Sequence, residues 1–334
     1  MRTRFKPRAW GVALWSVLAL AQLCAGQAWV PERGEGEFSV IYQNVYTGDH
    51  YFADGQRVNL GRSRVVGLIE SVDFGLTDRL AISAALPIMA GKYSGSFPHL
   101  LPIDNGNYHG GAGDFHLTAR YALRERPLSV TPFVSISLPP VGYQYFAQSA
   151  IGTNMWEFAL GVNAGRRLDP WLPKAYFQAR YAYAITQNVS MPSYHLDVRP
   201  NRSRFDADLG YSLSRRIVVR GLVSSQIVQG GFSDTSIPPS TPGDELWHHH
   251  DQITALNYVS AGAGVTLSLT KSVDTFATFQ RSVWLRNGPA LDAGITVGMS
   301  WSFRAPWARK PMMFGAAPAA SNWRAKLNEV KLCH

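Results

Sequence analysis

A set of charged residues recurs at alternating positions along apolar segments of the chain, where side chains of one parity share a face of a strand. The set is Arg120, Asp114, His116, Glu157, Arg180, Asp206, Asp208 and Arg220. Arg180 precedes Asp206 and Asp208, which precede Arg220, so the sign alternates over three successive segments. Rows of opposite charge can select the solutes that pass a water-filled path. They can equally brace a narrow wall through salt bridges, and the residues leave both readings open.

One further cluster has metal-ligand side chains. His248, His249 and His250 are followed by Asp251, and imidazole with carboxylate suits zinc, copper or nickel. Adjacent residues of a strand point in opposite directions, however, so a polar surface loop is the simpler interpretation and we predict no cofactor. Of the nine histidines, only His116 falls in a predicted strand, and no strand combines a nucleophile with a base and an orienting group. The sequence therefore predicts a protein that is not an enzyme.

Composition and charge placement exclude two classes of protein. Only 16% of the 334 residues are charged, and no apolar run of 18 residues occurs beyond the N-terminal region, which excludes a polytopic helical membrane protein. The net charge of +9 divides into +4 over residues 1–28 and +5 over residues 304–334, which leaves none between them. A nucleic-acid-binding domain needs a basic face on its folded part, so no nucleic-acid partner is predicted.

The two ends of the chain differ from its middle in composition and charge. Residues 1–28 place four basic residues before an apolar run and then small residues, with Gly26 and Ala28 at the −3 and −1 positions of a cut before Trp29. This order predicts a signal peptide, with a transmembrane anchor as the alternative. Residues 304–334 predict a basic periplasmic tail, flexible or forming one short helix, because Pro306 prevents the last strand from continuing.

The middle of the chain reads as strands. From Leu291 to Phe303 the odd-numbered residues are apolar, and the even-numbered residues are polar or glycine. About twelve segments of this kind lie between residues 37 and 303. Tight connections near residues 77, 126, 171, 215 and 271 alternate with long polar ones at 48–62, 90–112, 139–153, 187–202 and 229–256. This pattern predicts an all-β fold, a transmembrane antiparallel up-and-down β-barrel of about twelve strands with both ends in the periplasm.

Two stretches carry a resemblance. They are FGLTDRLAISAALP at residues 74–87 and GAGDFHLTARY at residues 111–121. This combination resembles the phenol meta-pathway degradation protein family of outer-membrane transporters. The resemblance implies a channel for small, often aromatic or hydrophobic, compounds. One departure is that 31 residues follow Phe303, where barrels of this kind end on an aromatic closing strand.

The sequence thus predicts an outer-membrane channel that passes small solutes passively through its lumen. A non-transporting structural or adhesion barrel, and an outer-membrane lipid-modifying enzyme, are the alternatives. The expected partners are the lipid bilayer, a small-molecule solute and, during biogenesis, the barrel-assembly machinery. The sequence does not indicate an oligomeric state.

Overall fold

The structure is a computed structural model that describes residues 27–95, 103–233 and 244–308. Within these residues twelve long strands form one barrel. They are β1 (Glu35–Tyr51), β2 (Arg62–Gly75), β3 (Leu80–Ser94), β4 (Phe115–Tyr121), β5 (Ser129–Leu138), β6 (Glu157–Arg167), β7 (Ala175–Thr186), β8 (Asn201–Ser212), β9 (Ile217–Gln229), β10 (Asn257–Ser268), β11 (Val273–Arg286) and β12 (Gly288–Arg304). The predicted strand count is confirmed.

Every strand pairs antiparallel with its neighbours in the chain, and β12 pairs with β1 to close the sheet. In the closing register Glu35 lies opposite Arg304 and Phe38 opposite Trp301, and both pairs make contacts, the first ionic and the second aromatic. Because the number of strands is even, the first strand begins and the last strand ends at the same rim. That rim carries the tight turns, as predicted.

The outer surface of the barrel is apolar. In β12, Ile295, Val297 and Trp301 are exposed, whereas the alternate residues Gly298 and Ser300 are buried or face inward. A closed barrel leaves no unpaired sheet edge, which is the condition for a β-structure to lie in a bilayer. The predicted location in the outer membrane is therefore confirmed. No helix among the described residues is long and apolar enough to cross a bilayer.

The predicted alternation has exceptions, and one is Leu291 of β12, which is 1% exposed and faces inward because the register shifts between Leu291 and Ala293. Glu70 of β2 is exposed on the outer face between the exposed residues Leu68 and Val72. Tyr258 of β10 is another exception, because an aromatic residue near the end of a barrel strand is expected in the outer interfacial girdle. It is 3% exposed and faces inward, where it packs with Leu256 and Leu285.

Long loops cover the rim opposite the tight turns. Short strands at Arg57–Val58 and His109–Ala112 extend the sheet there, and Val189–Met191 pairs with Leu196–Val198 in a separate hairpin. Helix α1 (Glu245–Ile253) buries Leu246 and Ile253 against this hairpin. This small apolar cluster sits above the barrel mouth and gives the loops a defined position.

The predicted domain boundaries fall near the limits of the described residues. Most of the predicted signal peptide and most of the predicted tail, residues 1–26 and 309–334, lie outside them. Gln27 and Ala28, which the sequence assigns to the signal peptide, are described and lie inside the barrel, where Ala28 is 1% exposed. After β12 the chain makes a short 3-10 turn at Pro306–Ala308. The cut before Trp29 and the tail from Arg304 stay predictions.

Candidate functional site

A cavity of about 300 Å³ occupies the inside of the barrel. Its lining includes Glu35 and Ser302 near the rim with the tight turns, and Met155 and Leu256 among the loops of the opposite rim. Residues from both rims therefore border the same space. This cavity is the candidate site, and the charges that line it decide its electrostatics.

Glu157 of β6 binds two arginines of β8 inside the cavity. Arg204 donates from Nη1 to Oε1 at 2.7 Å and from Nη2 to Oε2 at 3.1 Å, and Nε of Arg202 lies 3.2 Å from Oε2. Strand β7 lies between β6 and β8 and presents Ala182 and Ala184, both buried, beneath this contact. These short side chains leave room for the three long ones to meet above them. With two guanidiniums on one carboxylate, the group carries one positive charge in excess.

Sequence reasoning identified Glu157 but missed Arg202 and Arg204. The alternation could have identified Arg204 as an inward residue, because Arg204 has the same parity as Asp206 in the same predicted strand. Arg202 was assigned to the preceding loop, but β8 begins at Asn201 and includes it. Strand ends are the least reliable part of such a prediction because the alternation fades there.

Asp114 and His116 also line the cavity, as their parity predicted. The Tyr143 hydroxyl donates to Asp114 Oδ1 at 2.6 Å and accepts from the Asn154 backbone N–H at 2.9 Å. Burial of Tyr143, together with the negative charge of Asp114, raises the pKa of the phenol above its usual value. Tyr143 therefore remains a donor, and it ties a loop to the barrel wall.

Arg120 also lines the cavity, and it pairs with Asp73 and not with Glu157. Its Nη2 lies 2.6 Å from Oδ2 of Asp73, whose other oxygen accepts from Ser83 at 2.8 Å. Asp73 is on β2 and Arg120 on β4, and Ala81 of the intervening β3 lies opposite Arg120 with 0% exposure. The pair again forms across a small residue of the strand between.

The predicted ladder on β7, β8 and β9 exists in part. Arg180 lies directly opposite Asp206 in the register, and Asp208 binds Arg220, whose Nε is 2.9 Å from Oδ2. Asp206 also accepts from Ser224 at 2.6 Å. Of the four predicted residues, Arg180 lines the cavity, whereas the side chains of Asp208 and Arg220 are 1% and 8% exposed and do not. A role for Asp206, Asp208 and Arg220 in solute selection stays a prediction, and the geometry supports the bracing alternative for the Asp208–Arg220 pair.

An N-terminal segment, residues 27–34, lies within the barrel and was not predicted there. The Ala28 carbonyl accepts from the hydroxyls of Ser129 and Thr131, the latter at 2.8 Å. Gln27 accepts from Arg180, whose guanidinium carbon also lies 4.0 Å from the ring centroid of Phe133. This segment covers the wall that carries Asp206 and Asp208, which is why they border only a small separate pocket.

The tight turn between β2 and β3 holds this segment at its entry. The Arg33 backbone N–H donates to Asp78 at 3.0 Å, and the Gly34 N–H donates to the Gly75 carbonyl at 2.8 Å. A side chain at Gly75 would place its Cβ 2.3 Å from the Glu32 carbonyl oxygen, so the close approach requires glycine. Gly75 and Asp78 are two residues of the stretch that carries the family resemblance.

The loop at residues 139–156 folds into the opposite mouth. Phe146, Gln148 and Ser149 are each 1% exposed. The Asp104 carboxylate accepts from the backbone N–H groups of Gln148 and Ser149, both at 2.9 Å, and Ser63 of β2 donates to the Gln148 carbonyl at 2.6 Å. The cavity is therefore narrowed from both ends, by this loop and by the N-terminal segment.

The predicted histidine cluster forms part of helix α1 and not a loop, which corrects that prediction. On this helix His248 and His250 both pack on Phe146, and His249 stacks on Tyr145. His250 also contacts Asp251 at 2.9 Å. No group of three potential metal ligands occurs among residues 27–95, 103–233 and 244–308. The histidines instead pack the helix against the loop at residues 139–156, where burial raises the pKa of Tyr145.

Comparison with known proteins supports the fold. No family model and no curated protein matches the chain. Among solved structures, it is similar to an outer membrane channel from Pseudomonas putida F1, with a TM-score of 0.61 and 17% identity over 83% of this chain and 98% of that one. It is also similar to the NanC porin, with a TM-score of 0.47 and 10% identity over 79% and 98% of the two chains. At 17% identity the first similarity shows an outer-membrane β-barrel fold.

Proposed function

We propose that this barrel is a passive outer-membrane channel for small solutes. The observation that carries the proposal is that residues of both rims border one and the same cavity. A barrel whose only task was structural could fill its interior with side chains, as small barrels do. Here a space of about 300 Å³ remains, which is the lower end of the size of a small-molecule site.

The lining supports a solute with both an apolar and a polar part. Ile69, Met89, Ile151 and Met155 contribute apolar surface to the lining, and Glu157 with its two arginines contributes charge. The motifs at residues 74–87 and 111–121 resemble those of the phenol meta-pathway degradation protein family, which supports small aromatic compounds as the solutes. We propose membership of that family on the same residues.

Recording from the purified protein in planar lipid bilayers tests the proposal. We expect discrete channel events of small conductance. In bi-ionic measurements at equal concentration, we expect benzenesulfonate to be at least as permeant as the smaller anion methanesulfonate, because its ring gains contacts with the apolar lining. A folded barrel that neither conducts nor permits solute entry into liposomes would contradict the channel and favour the structural or adhesion alternative. A channel that excludes benzenesulfonate would contradict only the aromatic solute.

A further inference from the structure

Three basic side chains lie together on the outer face of the barrel, at the ends of β2 and β3 that are nearest the long loops. Arg64 is directly opposite Lys92 in the antiparallel register, and Arg62 is two residues from Arg64 on the same face. Their chain neighbours Val65 and Tyr93 are buried at 5% and 1% exposure. Because side chains alternate between faces, the three cations point away from the lumen. Arg62, Arg64 and Lys92 are called the outer basic cluster below.

The outer basic cluster lies at the upper edge of the apolar band. Along β3 the residues that share the parity of Lys92 are apolar from Leu80 to Ala90, and Leu86 and Ile88 are among those exposed. Lys92 is the first charged residue of this row. At about 3.3 Å per residue the apolar row covers roughly the thickness of the hydrocarbon core. The three cations therefore lie at the height of the lipid headgroups of the outer leaflet.

Neutral groups hold these cations in place. Arg62 Nη1 donates to the Tyr46 hydroxyl at 3.2 Å, Arg64 Nε donates to Asn44 Oδ1 at 3.0 Å, and Lys92 Nζ lies 4.8 Å from the ring centroid of Tyr108. Both Tyr46 and Asn44 belong to the outer face of β1. The remaining N–H groups of the two guanidiniums stay available to a ligand.

No carboxylate of the described residues forms an ion pair with the outer basic cluster. Asp49 is already bound to Arg57, and Asp292 interacts electrostatically with Arg62 but forms no ion pair with it. The segment that follows β3, residues 96–102, contains no acidic residue. Like charges directly opposite each other on paired strands destabilise a sheet. Arg64 and Lys92 therefore fit a site whose counter-ion comes from outside the chain.

We propose that the outer basic cluster binds a phosphate group of lipid A in the outer leaflet. A guanidinium fork matches a phosphate through paired hydrogen bonds, and the ammonium adds a point charge. Basic residues at a membrane surface attract anionic headgroups, and lipid A presents phosphate at this height with several acyl chains below it. The exposed side chains of Leu68 and Ile88 lie beneath the cluster and would contact those chains. The binding does not depend on the function of the lumen.

Native mass spectrometry of the protein purified from outer membranes in detergent tests this proposal. The probes are diphosphoryl lipid A, monophosphoryl lipid A and phosphatidylglycerol, each titrated separately. We expect diphosphoryl lipid A to bind most tightly, and the double substitution Arg64→Gln/Lys92→Gln to weaken it by about tenfold or more, as expected for the loss of charge-assisted hydrogen bonds. Arg64→Lys, which keeps the charge, should retain part of the affinity.

The matched control is Arg215→Gln/Arg216→Gln, which removes the same charge from the tight turn between β8 and β9 at the other rim. Its affinity for lipid A should equal that of the unchanged protein. A heat-dependent gel shift verifies that each variant is folded, and Arg64 and Lys92 are both partly exposed on the outer face, where glutamine fits. Equal lipid A binding by the cluster variant and the control would overturn the proposal. Equal binding of phosphatidylglycerol and lipid A by the unchanged protein would also overturn the assignment to lipid A.

Discussion

Arg204 and Glu157 are 47 residues apart in the chain, yet Arg204 donates to both carboxylate oxygens of Glu157, at 2.7 and 3.1 Å. The contact spans the inner face of β7, above Ala182 and Ala184. Arg202 approaches the same carboxylate with one nitrogen at 3.2 Å. The two arginines thus have unequal roles, one paired with Glu157 and one in excess.

Because the two arginines pair unequally with Glu157, we expect their substitution to lower the stability of the barrel by different amounts. Arg204→Gln removes both hydrogen bonds to a largely buried carboxylate and should lower the free energy of unfolding by about 1–3 kcal/mol, because Arg202 stays as a partial partner. Arg202→Gln should cost clearly less. Urea-dependent unfolding in lipid vesicles, followed by tryptophan fluorescence, measures both values. Equal losses would mean that Glu157 does not distinguish the two arginines.

The excess charge predicts the ion selectivity of an open lumen. Arg202→Gln should shift the reversal potential in a salt gradient toward cations, and Glu157→Gln should shift it toward anions, because each changes the net charge that lines the cavity. Arg180→Ala should act in the same direction as Arg202→Gln. Arg220→Ala, outside the cavity lining, should leave the reversal potential unchanged. A shift with Arg220→Ala would show that Asp208 and Arg220 reach the path of the ions.

Arg220→Ala should instead affect stability. It leaves Asp208 as an uncompensated buried charge, and breaking such a pair costs about 3–5 kcal/mol. The double variant Asp208→Asn/Arg220→Met removes both charges and should recover most of the loss. The temperature at which the folded band disappears in a gel-shift assay compares the three proteins. No recovery in the double variant would argue against a simple ion-pair brace.

The N-terminal segment should restrict the channel. Asp78→Ala removes the acceptor for the Arg33 N–H and should raise the mean single-channel conductance or add larger open states, because the segment loses a tether at its entry. Asp169→Ala is the matched control, since Asp169 lies in another tight turn and contacts Arg167 instead. Identical single-channel recordings for the two variants would show that the segment does not limit conduction.

Tyr143 ties the loop at residues 139–156 to the barrel wall, and its ionisation predicts how the stability of that loop depends on pH. Its raised pKa means that the folded barrel binds the phenol proton more tightly than the unfolded chain, whose tyrosines titrate near pH 10. The stabilisation of the loop should therefore be complete below about pH 10 and decline only above it. Tyr143→Phe should show increased channel gating already at neutral pH, measured in planar bilayers between about pH 7 and 10. A gating change of the unchanged protein well below pH 10 would contradict this assignment.

The sequence alone determined the barrel, a strand number of about twelve, and the face of those charged residues that the alternation placed on strands. Those properties depend on alternation with a period of two and on the lengths of connections, which are local features of the chain. The inward position of Arg120, Glu157 and Arg180 followed from parity in this way. The apolar outer band of β12 followed for the same reason.

Only the tertiary structure decided which charges meet. Glu157 joins Arg204 and Asp73 joins Arg120 across an intervening strand, which depends on register and on a small residue such as Ala81 in between. Parity assigns a residue to a face but carries no information on its height relative to a strand two positions away. The position of the N-terminal segment in the lumen could not be predicted from the sequence either. Its contacts with Thr131 and Asp78 join residues that are 45 or more positions apart in the chain.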